Sequence, residues 1–189
     1  MKARKRILVI TGVPGTGKTS FSNSLAKRLH DTEVIHVTEV VNKMRLFTSR
    51  SRDGAKIVDM AKLLAELKRM IGSSNKRNIL LESHLLCDMR IKGASALVLR
   101  EHLDVLASRM RARRYPKEKI KSNIVSEATD YCGIRAERNY ANVFEAFSTD
   151  RNLVGYANKL LGGGKPKAKQ IELLPEFDRL IKKQRWLAA

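Results

Sequence analysis

The chain is poor in cysteine, in aromatic residues and in long apolar runs, and each shortage excludes a class of protein. The two cysteines, Cys87 and Cys132, lie far apart and show no metal-ligand spacing, so they are expected to be reduced thiols in a cytoplasmic protein. Aromatic residues make up 5% and do not interleave with the basic clusters, which argues against a stacking platform for single strands. No run approaches the ~18 apolar residues that cross a membrane, and no signal peptide is predicted.

Acidic residues are also scarce relative to basic ones. The chain has 38 Lys and Arg against 19 Asp and Glu, which gives a net charge of +19 and a pI near 10.3. Such a field attracts polyanions such as nucleotides, RNA, DNA or an anionic membrane. A lysine-rich solvated surface, or adaptation to a salty or acidic cytoplasm, would give the same composition. Charge alone leaves these readings open.

Strand-like and helix-like segments alternate along the 189 residues, which are enough for one domain, 1–189. Short apolar runs predict parallel strands, and apolar stripes at helical spacing predict helices. The pattern predicts an α/β fold with a parallel sheet. The predicted strands are 6–11, 33–37, 78–81, 94–99 and 170–173. The predicted helices are 18–30, 59–71 with Gly72 at its end, 103–110, 120–147 with a break at Gly133, 153–161 and 175–186. The basic stretch 43–56 resembles a mobile insertion.

One motif follows the first predicted strand directly. Residues 12–19 read GVPGTGKT and satisfy the pattern G-x-x-x-x-G-K-[ST] in full. Glycines such as Gly12, Gly15 and Gly17 let the backbone wrap a phosphate, and Thr16 lies within the same loop. Lys18 would bridge the β- and γ-phosphates of ATP, and the hydroxyl of Thr19 would bind Mg²⁺. The strand before and the amphipathic helix after the motif favour this reading over a chance match.

Candidate partners of this loop occur at two later places. Glu82 follows the third predicted strand, where a carboxylate would hold the Mg²⁺ shell through water or orient a nucleophile; a surface carboxylate or helix N-cap is the alternative. His84 would orient a water or an acceptor oxygen, or is structural. Arg109 and Arg113 are four residues apart on one predicted helix and would stabilise a transferring phosphoryl group, unless they form a solvated basic face.

At these residues the sequence resembles the adenylate kinase 6 family, small nucleoside monophosphate (NMP) kinases of the archaeal and eukaryotic type. The resemblance covers about residues 5–130 in order, and the end of the chain matches more weakly. It rests on TGVPGTGKT, on the cluster ESHLLCD, on VLREHLDVLASRMRARRYPKEKIKSNI and on Glu127 after it. Glu82 replaces the usual aspartate of the cluster, and Arg114 stands where a glycine often precedes the tyrosine.

The resemblance implies a P-loop NTPase of the NMP kinase type, a three-layer α/β/α fold with a central parallel sheet of about five strands. It further implies an NMP-binding segment at 37–59 and a short lid at 112–121. Arg113 would contact ATP, and His84 matches the histidine of the family's acidic cluster. The ATP phosphates would lie on Gly15, Gly17, Lys18, Thr19 and Ser20.

Two functions compete at this point. The first is an enzyme that uses Mg²⁺·ATP to phosphorylate AMP or another NMP, with Lys43, Arg45, Arg50 or Arg52 on the acceptor's phosphate. The second is an ATPase that assists assembly of the small ribosomal subunit. The resemblance implies the ribosomal protein uS11 as its partner, and the positive charge would suit rRNA. Both activities can coexist in one protein, since a lid that closes incompletely admits water. The sequence does not give the preferred NMP or the oligomeric state.

Overall fold

The computed structural model describes residues 4–50, 56–167 and 171–182, and these build a parallel sheet covered by helices. The sheet strands are β1 (Arg6–Thr11), β2 (Thr32–His36), β5 (Asn78–Glu82), β6 (Ala94–Arg100) and β7 (Val143–Phe147), and an antiparallel hairpin adds β3 (Phe47–Arg50) and β4 (Lys56–Val58). The helices are α1 (Lys18–Arg28), α2 (Val37–Lys43), α3 (Met60–Ser73), α4 (Leu103–Ala112), α5 (Lys117–Ala128), α6 (Tyr131–Asn139), α7 (Leu153–Leu161) and α8 (Leu174–Lys182). A 3-10 helix spans His84–Asp88.

The five strands of the main sheet pair in the order β2-β5-β1-β6-β7, and every pairing is parallel. Strand β1 is therefore central, and the loop after it leaves the sheet at its carboxyl edge. Alternate residues of β1 serve opposite cores: Val9 packs with α3, α4 and α5, whereas Leu8 and Ile10 pack with α1 and α7. The predicted three-layer α/β/α arrangement with about five parallel strands is confirmed.

The fifth strand is not the one predicted from the sequence. It is β7, which pairs with β6 from Ala96↔Val143 to Arg100↔Phe147. The prediction of a strand at 170–173 was wrong for 171–173, which are neither helix nor strand, while residue 170 lies outside the described residues. The sequence VFEAF combines Val and Phe, which favour strands, with Glu and Ala, which favour helices, so its local pattern alone does not indicate a strand.

The long helix predicted at 120–147 is also divided differently. It consists of α5, α6 and then β7, and the break lies at Asp130, whose φ of 55° ends the helical path. Gly133 lies inside α6. A Cβ there would come within 2.1 Å of Glu145 and 2.3 Å of Asp130, so this glycine serves close packing rather than helix termination.

Several boundaries shift by a residue or two. Helix α3 begins at its cap, Asp59, whose side chain accepts a hydrogen bond from the Lys62 amide. It continues past the predicted end at Gly72, and Lys5 Nζ donates to carbonyl groups at its carboxyl end. The basic stretch 43–56, expected as a mobile insertion, contains β3 and the first residue of β4. Residues 51–55 lie outside the described part, as do residues 183–186 of the predicted last helix.

Helix α8 supports the start of α4 across the fold. The Glu176 carboxylate accepts a hydrogen bond from the Leu103 amide at 2.9 Å, so a side chain distant in sequence caps α4. The His102 ring beside it stacks on Phe147, with centroids 4.5 Å apart. Helix α4 therefore has a fixed amino end. Within the described residues, no helix is long and apolar enough to cross a membrane.

A buried ion network lies at the carboxyl end of β6. Arg100 is 1% exposed and contacts Glu127 at 3.1 Å, Asp130 at 2.6 Å and Glu145. Burial would lower the pKa of Arg100, but the three carboxylates outweigh it and raise that pKa. Burial raises the pKa of Glu127 despite the contact with Arg100. These directions agree because one guanidinium faces three carboxylates and cannot neutralise them all.

This network predicts a pH-dependent stability. Burial, together with neighbouring Asp130, raises the pKa of Glu145 to about 7 from an ordinary 4.5. The folded protein thus holds a proton that the unfolded chain has released, and its stabilising effect is lost as the pH rises through 7. In Glu145→Gln this loss disappears, so between pH 5 and pH 8 the unfolding free energy shifts in favour of the variant by on the order of 1 kcal/mol. Urea unfolding at both pH values measures it.

The matched control is Glu118→Gln on α5, where the carboxylate is exposed and distant from the network. It should leave the pH dependence of the wild type unchanged. If Glu145→Gln and wild type keep a constant difference across the pH range, Glu145 does not carry the proton.

Candidate active site

The glycine loop predicted from the sequence connects β1 to α1 at the carboxyl edge of the sheet. Gly12 has a φ of +133°, and a Cβ there would lie 2.3 Å from the Leu99 carbonyl oxygen of β6. Gly17, with a φ of +87°, forms the left-handed start of α1. Only glycine adopts these positive φ values without strain, and at Gly12 only a residue without a Cβ can lie this close to β6. The loop is thereby held against the sheet, with the amino end of α1 directly behind it.

Lys18 folds back over this loop. Its Nζ donates to the Val13 carbonyl at 2.9 Å, and Thr16 Oγ1 donates to the same carbonyl at 3.1 Å. Burial lowers the pKa of Lys18, and the nearby Glu82 carboxylate opposes that shift. The loop therefore organises its own cation and hydroxyl around one carbonyl oxygen.

A chain of hydrogen bonds runs from the start of α1 to the ends of two strands. Thr19 Oγ1 donates to Glu82 Oε2 at 3.2 Å. The same oxygen lies 3.0 Å from His36 Nδ1, and His36 Nε2 lies 3.1 Å from Asn23 Oδ1. Because the Thr19 hydrogen is directed to Glu82, the lone pairs of its hydroxyl are available to a cation.

The side-chain oxygens of Thr19 and Glu82 are suitable ligands for Mg²⁺. A hydroxyl and a carboxylate are hard oxygen ligands, and Mg²⁺ takes one or two carboxylates together with phosphate oxygens and water rather than an all-protein cage. Thr19 and Glu82 are the residues that would hold the ion.

His84 begins the 3-10 helix two residues after Glu82 and shares a cavity with it. The His84 side chain is exposed to solvent at the edge of the cavity, but neighbouring protein atoms displace part of its hydration. Loss of hydration, followed by the positive charges of Lys18 and Lys119, lowers the pKa of His84 to about 4. The imidazole is therefore neutral at pH 7.

The two arginines predicted from the sequence differ in their surroundings. Arg109 donates to the Gly15 carbonyl at 3.1 Å and to the buried Glu101 carboxylate at 2.6 Å. Ser148 holds the same carboxylate at 2.6 Å. Arg113, one helical turn later, is exposed and has no side-chain partner among the described residues. One arginine is thus fixed to the loop, and the other is free to reach a ligand.

Two cavities meet at the loop. The first, about 180 Å³, is bounded by Lys18, Thr19, Glu82, His84 and Arg113, among others. The second, about 500 Å³, lies on the other side of Gly15 and Gly17 and is bounded by Ser20, Arg109, Arg113, Ser148 and others. Arg113 borders both. The structure thus brings Lys18, Thr19, Glu82, His84 and Arg113 to the first cavity, whereas Arg109 borders only the second, and Gly12 and Thr16 are buried within the loop.

The predicted acceptor segment, 37–59, is described in part. Thr38 of α2 borders the first cavity. Lys43 and Arg45 are exposed beyond it, and Arg45 has a φ of 51° in the turn that precedes the hairpin. Arg52 lies outside the described residues. No contact among the described residues joins these cations to the loop.

The sequence and fold of the chain match known proteins. A family profile described as "AAA domain" matches residues 8–130. A protein of Methanosarcina barkeri named "Putative adenylate kinase" is 36% identical over 152 residues, which cover 78% of this chain and 79% of that protein. The chain belongs to the archaeal adenylate kinase family. A further family member, from Pyrococcus abyssi, is 27% identical over 179 residues and covers 93% of this chain and 95% of its own.

The fold of this adenylate kinase family member also has neighbours among solved structures. A gluconokinase from Sinorhizobium meliloti superposes with a TM-score of 0.52 at 17% identity, over 96% of this chain and 99% of its own. At that identity the likeness concerns the fold alone, which is that of a P-loop kinase. Family and fold together make the chain a nucleotide kinase, an ATP-dependent phosphotransferase.

Three residues of the site were not identified from the sequence. His36, Glu101 and Ser148 each hold a predicted residue in place. Glu101 lies within the stretch VLREHLD that carries the resemblance, but nothing there indicated its role, and His36 and Ser148 lie outside the motifs. His36 ends β2, and the parallel edge of the sheet could have suggested it, because β2 is next to β5. Glu101 and Ser148 follow β6 and β7, and the second of these strands was not predicted.

Proposed function

We propose that the protein is an NMP kinase that transfers the γ-phosphoryl group of ATP to AMP or to another NMP. One observation supports it most: Lys18, Thr19, Glu82, His84 and Arg113 all border one small cavity at the glycine loop. This set combines a phosphate cradle, oxygen ligands for a cation and a free guanidinium, which are the components that phosphoryl transfer needs.

In this reaction an oxygen of the acceptor's phosphate forms a bond to the γ-phosphorus, and the bond to the β–γ bridging oxygen breaks. The products are ADP and a nucleoside diphosphate. The acceptor oxygen is already anionic, so no general base is required, and positioning with charge stabilisation accounts for catalysis. We assign binding of the donor phosphates to the loop residues Gly12, Gly15, Thr16, Gly17, Lys18, Thr19 and Ser20.

The charged side chains take separate roles. Lys18 holds the β- and γ-phosphates, and Arg113 closes over the transferring group from the lid, 112–121. Arg109 acts from its fixed position beside Gly15 on the donor's side. Thr19 and Glu82 hold Mg²⁺, which when bound neutralises charge that develops on the phosphate oxygens.

The acceptor is proposed to bind over the segment 37–59. Lys43 and Arg45 are exposed there, and a basic surface favours an anionic acceptor over a neutral one. AMP is the acceptor that the names of the relatives suggest. We also propose a cytoplasmic location, since ATP is the donor and both cysteines are free and buried.

The test is a coupled assay with Mg²⁺ and ATP plus each NMP in turn, compared with ATP alone. We expect ADP release that depends on an NMP, with a labelled NMP converted to its diphosphate. ADP release that is independent of every NMP, with no labelled diphosphate formed, would contradict the kinase proposal.

A second function, an ATPase that assists small-subunit ribosome assembly, has its own support. The net charge of +19 suits an RNA-rich surrounding, and the neutral His84 beside Glu82 suits a role in orienting water. In this proposal rRNA and the protein uS11 are the partners. Binding of a small-subunit rRNA fragment should then fall steeply with salt, and an absence of salt-dependent binding to both partners would remove this second function.

A further inference from the structure

His36 is outside the site predicted from the sequence, yet it touches the acid at its centre. It is the last residue of β2 and the register partner of Glu82 on β5. Its Nδ1 lies 3.0 Å from Glu82 Oε2, and its Nε2 lies 3.1 Å from Asn23 Oδ1 on α1. The side chain of His36 is 20% exposed and that of Glu82 is 10% exposed, so water competes little for this contact.

The two oxygens of the Glu82 carboxylate differ in their hydrogen bonds. Oε2 accepts from both Thr19 and His36, whereas Oε1 has no hydrogen-bond partner among the described residues. A carboxylate with one oxygen held by two donors cannot rotate without breaking both bonds. The other oxygen is therefore kept for a ligand of the site.

A brace that merely joins β2 to the sheet would not need this histidine. Strand β2 already pairs with β5 along five residue positions, from Thr32↔Asn78 to His36↔Glu82. The His36 ring also reaches Asn23 on α1, the helix that carries Thr19. The ring thus lies between the elements that supply the hydroxyl and the carboxylate, and it fixes one relative to the other.

We propose that His36 is a positioning residue that holds Glu82 for magnesium binding. It acts through Glu82 and touches neither nucleotide nor metal. The role parallels the hydrogen-bonding partners that orient metal ligands elsewhere, whose loss lowers metal affinity or activity about 10–100-fold. The inference rests on the proposed function, because Glu82 serves the Mg²⁺ shell only if the site binds Mg²⁺·ATP.

Three substitutions of His36 distinguish the loss of its hydrogen bond to Glu82 from a change in side-chain volume. In His36→Leu the donor is lost, in His36→Asn an amide nitrogen replaces Nδ1, and in His36→Gln the amide reaches the place of Nε2 instead. We expect the Mg²⁺ concentration for half-maximal activity to rise about 10–100-fold in His36→Leu and His36→Gln. It should stay within a few-fold of wild type in His36→Asn, and the KM for the NMP should not change.

A second readout does not depend on activity. Mn²⁺ binding in the presence of a non-hydrolysable ATP analogue, followed by electron paramagnetic resonance, should weaken in His36→Leu and recover in His36→Asn. Equal Mn²⁺ affinity in wild type and His36→Leu, or equal losses in His36→Leu and His36→Asn, would overturn the proposal. If His36→Leu does not fold, Asn23→Ala, which frees the far side of the ring, should weaken Mn²⁺ binding in the same direction; unchanged binding there would overturn the proposal.

The two proposals fail differently. A wild-type protein that transfers no phosphoryl group to any NMP and hydrolyses no ATP would contradict the proposed function, while the Mn²⁺ measurement would still judge His36. Normal transfer with unchanged metal dependence in every variant would contradict the role of His36 alone.

Discussion

In Lys18→Ala, transfer to an NMP and hydrolysis of ATP both fall by on the order of 10³-fold. The reason is that Lys18 is the buried cation of the loop, and its Nζ lies 2.9 Å from the Val13 carbonyl inside the cradle itself. A developing charge on the γ-phosphate loses its nearest fixed positive partner. The coupled assay with and without NMP measures both activities on one preparation.

Two further variants make the Lys18 result interpretable. Lys27→Ala removes an exposed lysine from the last turn of the same helix and should leave both activities unchanged. Lys18→Met keeps the apolar stem in its buried place, so it separates loss of charge from loss of packing. If Lys18→Met retains most of the wild-type turnover, the phosphoryl group is transferred elsewhere.

The second large effect concerns stability. Arg100→Met should lower the free energy of unfolding by about 3–5 kcal/mol, because it leaves buried carboxylates without their cation. Glu127 is 1% exposed, and Arg100 is its ion-pair partner among the residues that the structure describes. Its Oε1 also accepts from the Glu101 amide at 2.9 Å, so the damage extends to the residue that holds Arg109. Urea unfolding at pH 7 measures the loss.

A double-mutant cycle tests the cause. Glu127→Gln keeps an acceptor oxygen for the Glu101 amide but removes the buried charge. Combined with Arg100→Met, it should recover part of the lost stability, since the uncompensated carboxylate is gone. Strictly additive losses in the double variant would mean that the pair with Glu127 does not account for the effect of Arg100.

The helices and strands were predictable from the sequence where a segment carries a clear apolar pattern of its own. The central strand β1 and helix α7 were predicted with the bounds that the structure has, because both are apolar where they face a core. Strand β7 was not predictable in this way. It is an edge strand whose Glu145 points to a buried arginine on β6, so its identity depends on a partner distant in the sequence.

The residues of the candidate site also divide into those with a local sequence signal and those without one. Lys18 and Thr19 belong to a motif whose spacing is fixed by the shape of a phosphate, and Glu82 was found because it ends a buried strand. His36 was missed because a histidine at the end of a half-buried strand carries no local signal. Its contact with Glu82 exists only once β2 and β5 are paired, which no spacing in the sequence encodes.

The tether of Arg109 has a consequence for the time course of the reaction. Glu176 fixes the amino end of α4, and Glu101 with Gly15 fixes Arg109 near the carboxyl end of α4. Helix α4 is therefore held at both ends. Beyond α4, the part of the lid that can move is the turn from Arg113 to Pro116, a few residues long. Loops of that size rearrange in nanoseconds to microseconds, faster than hinged domains. We therefore expect closure of this turn not to limit turnover, which chemistry or nucleotide departure would then pace.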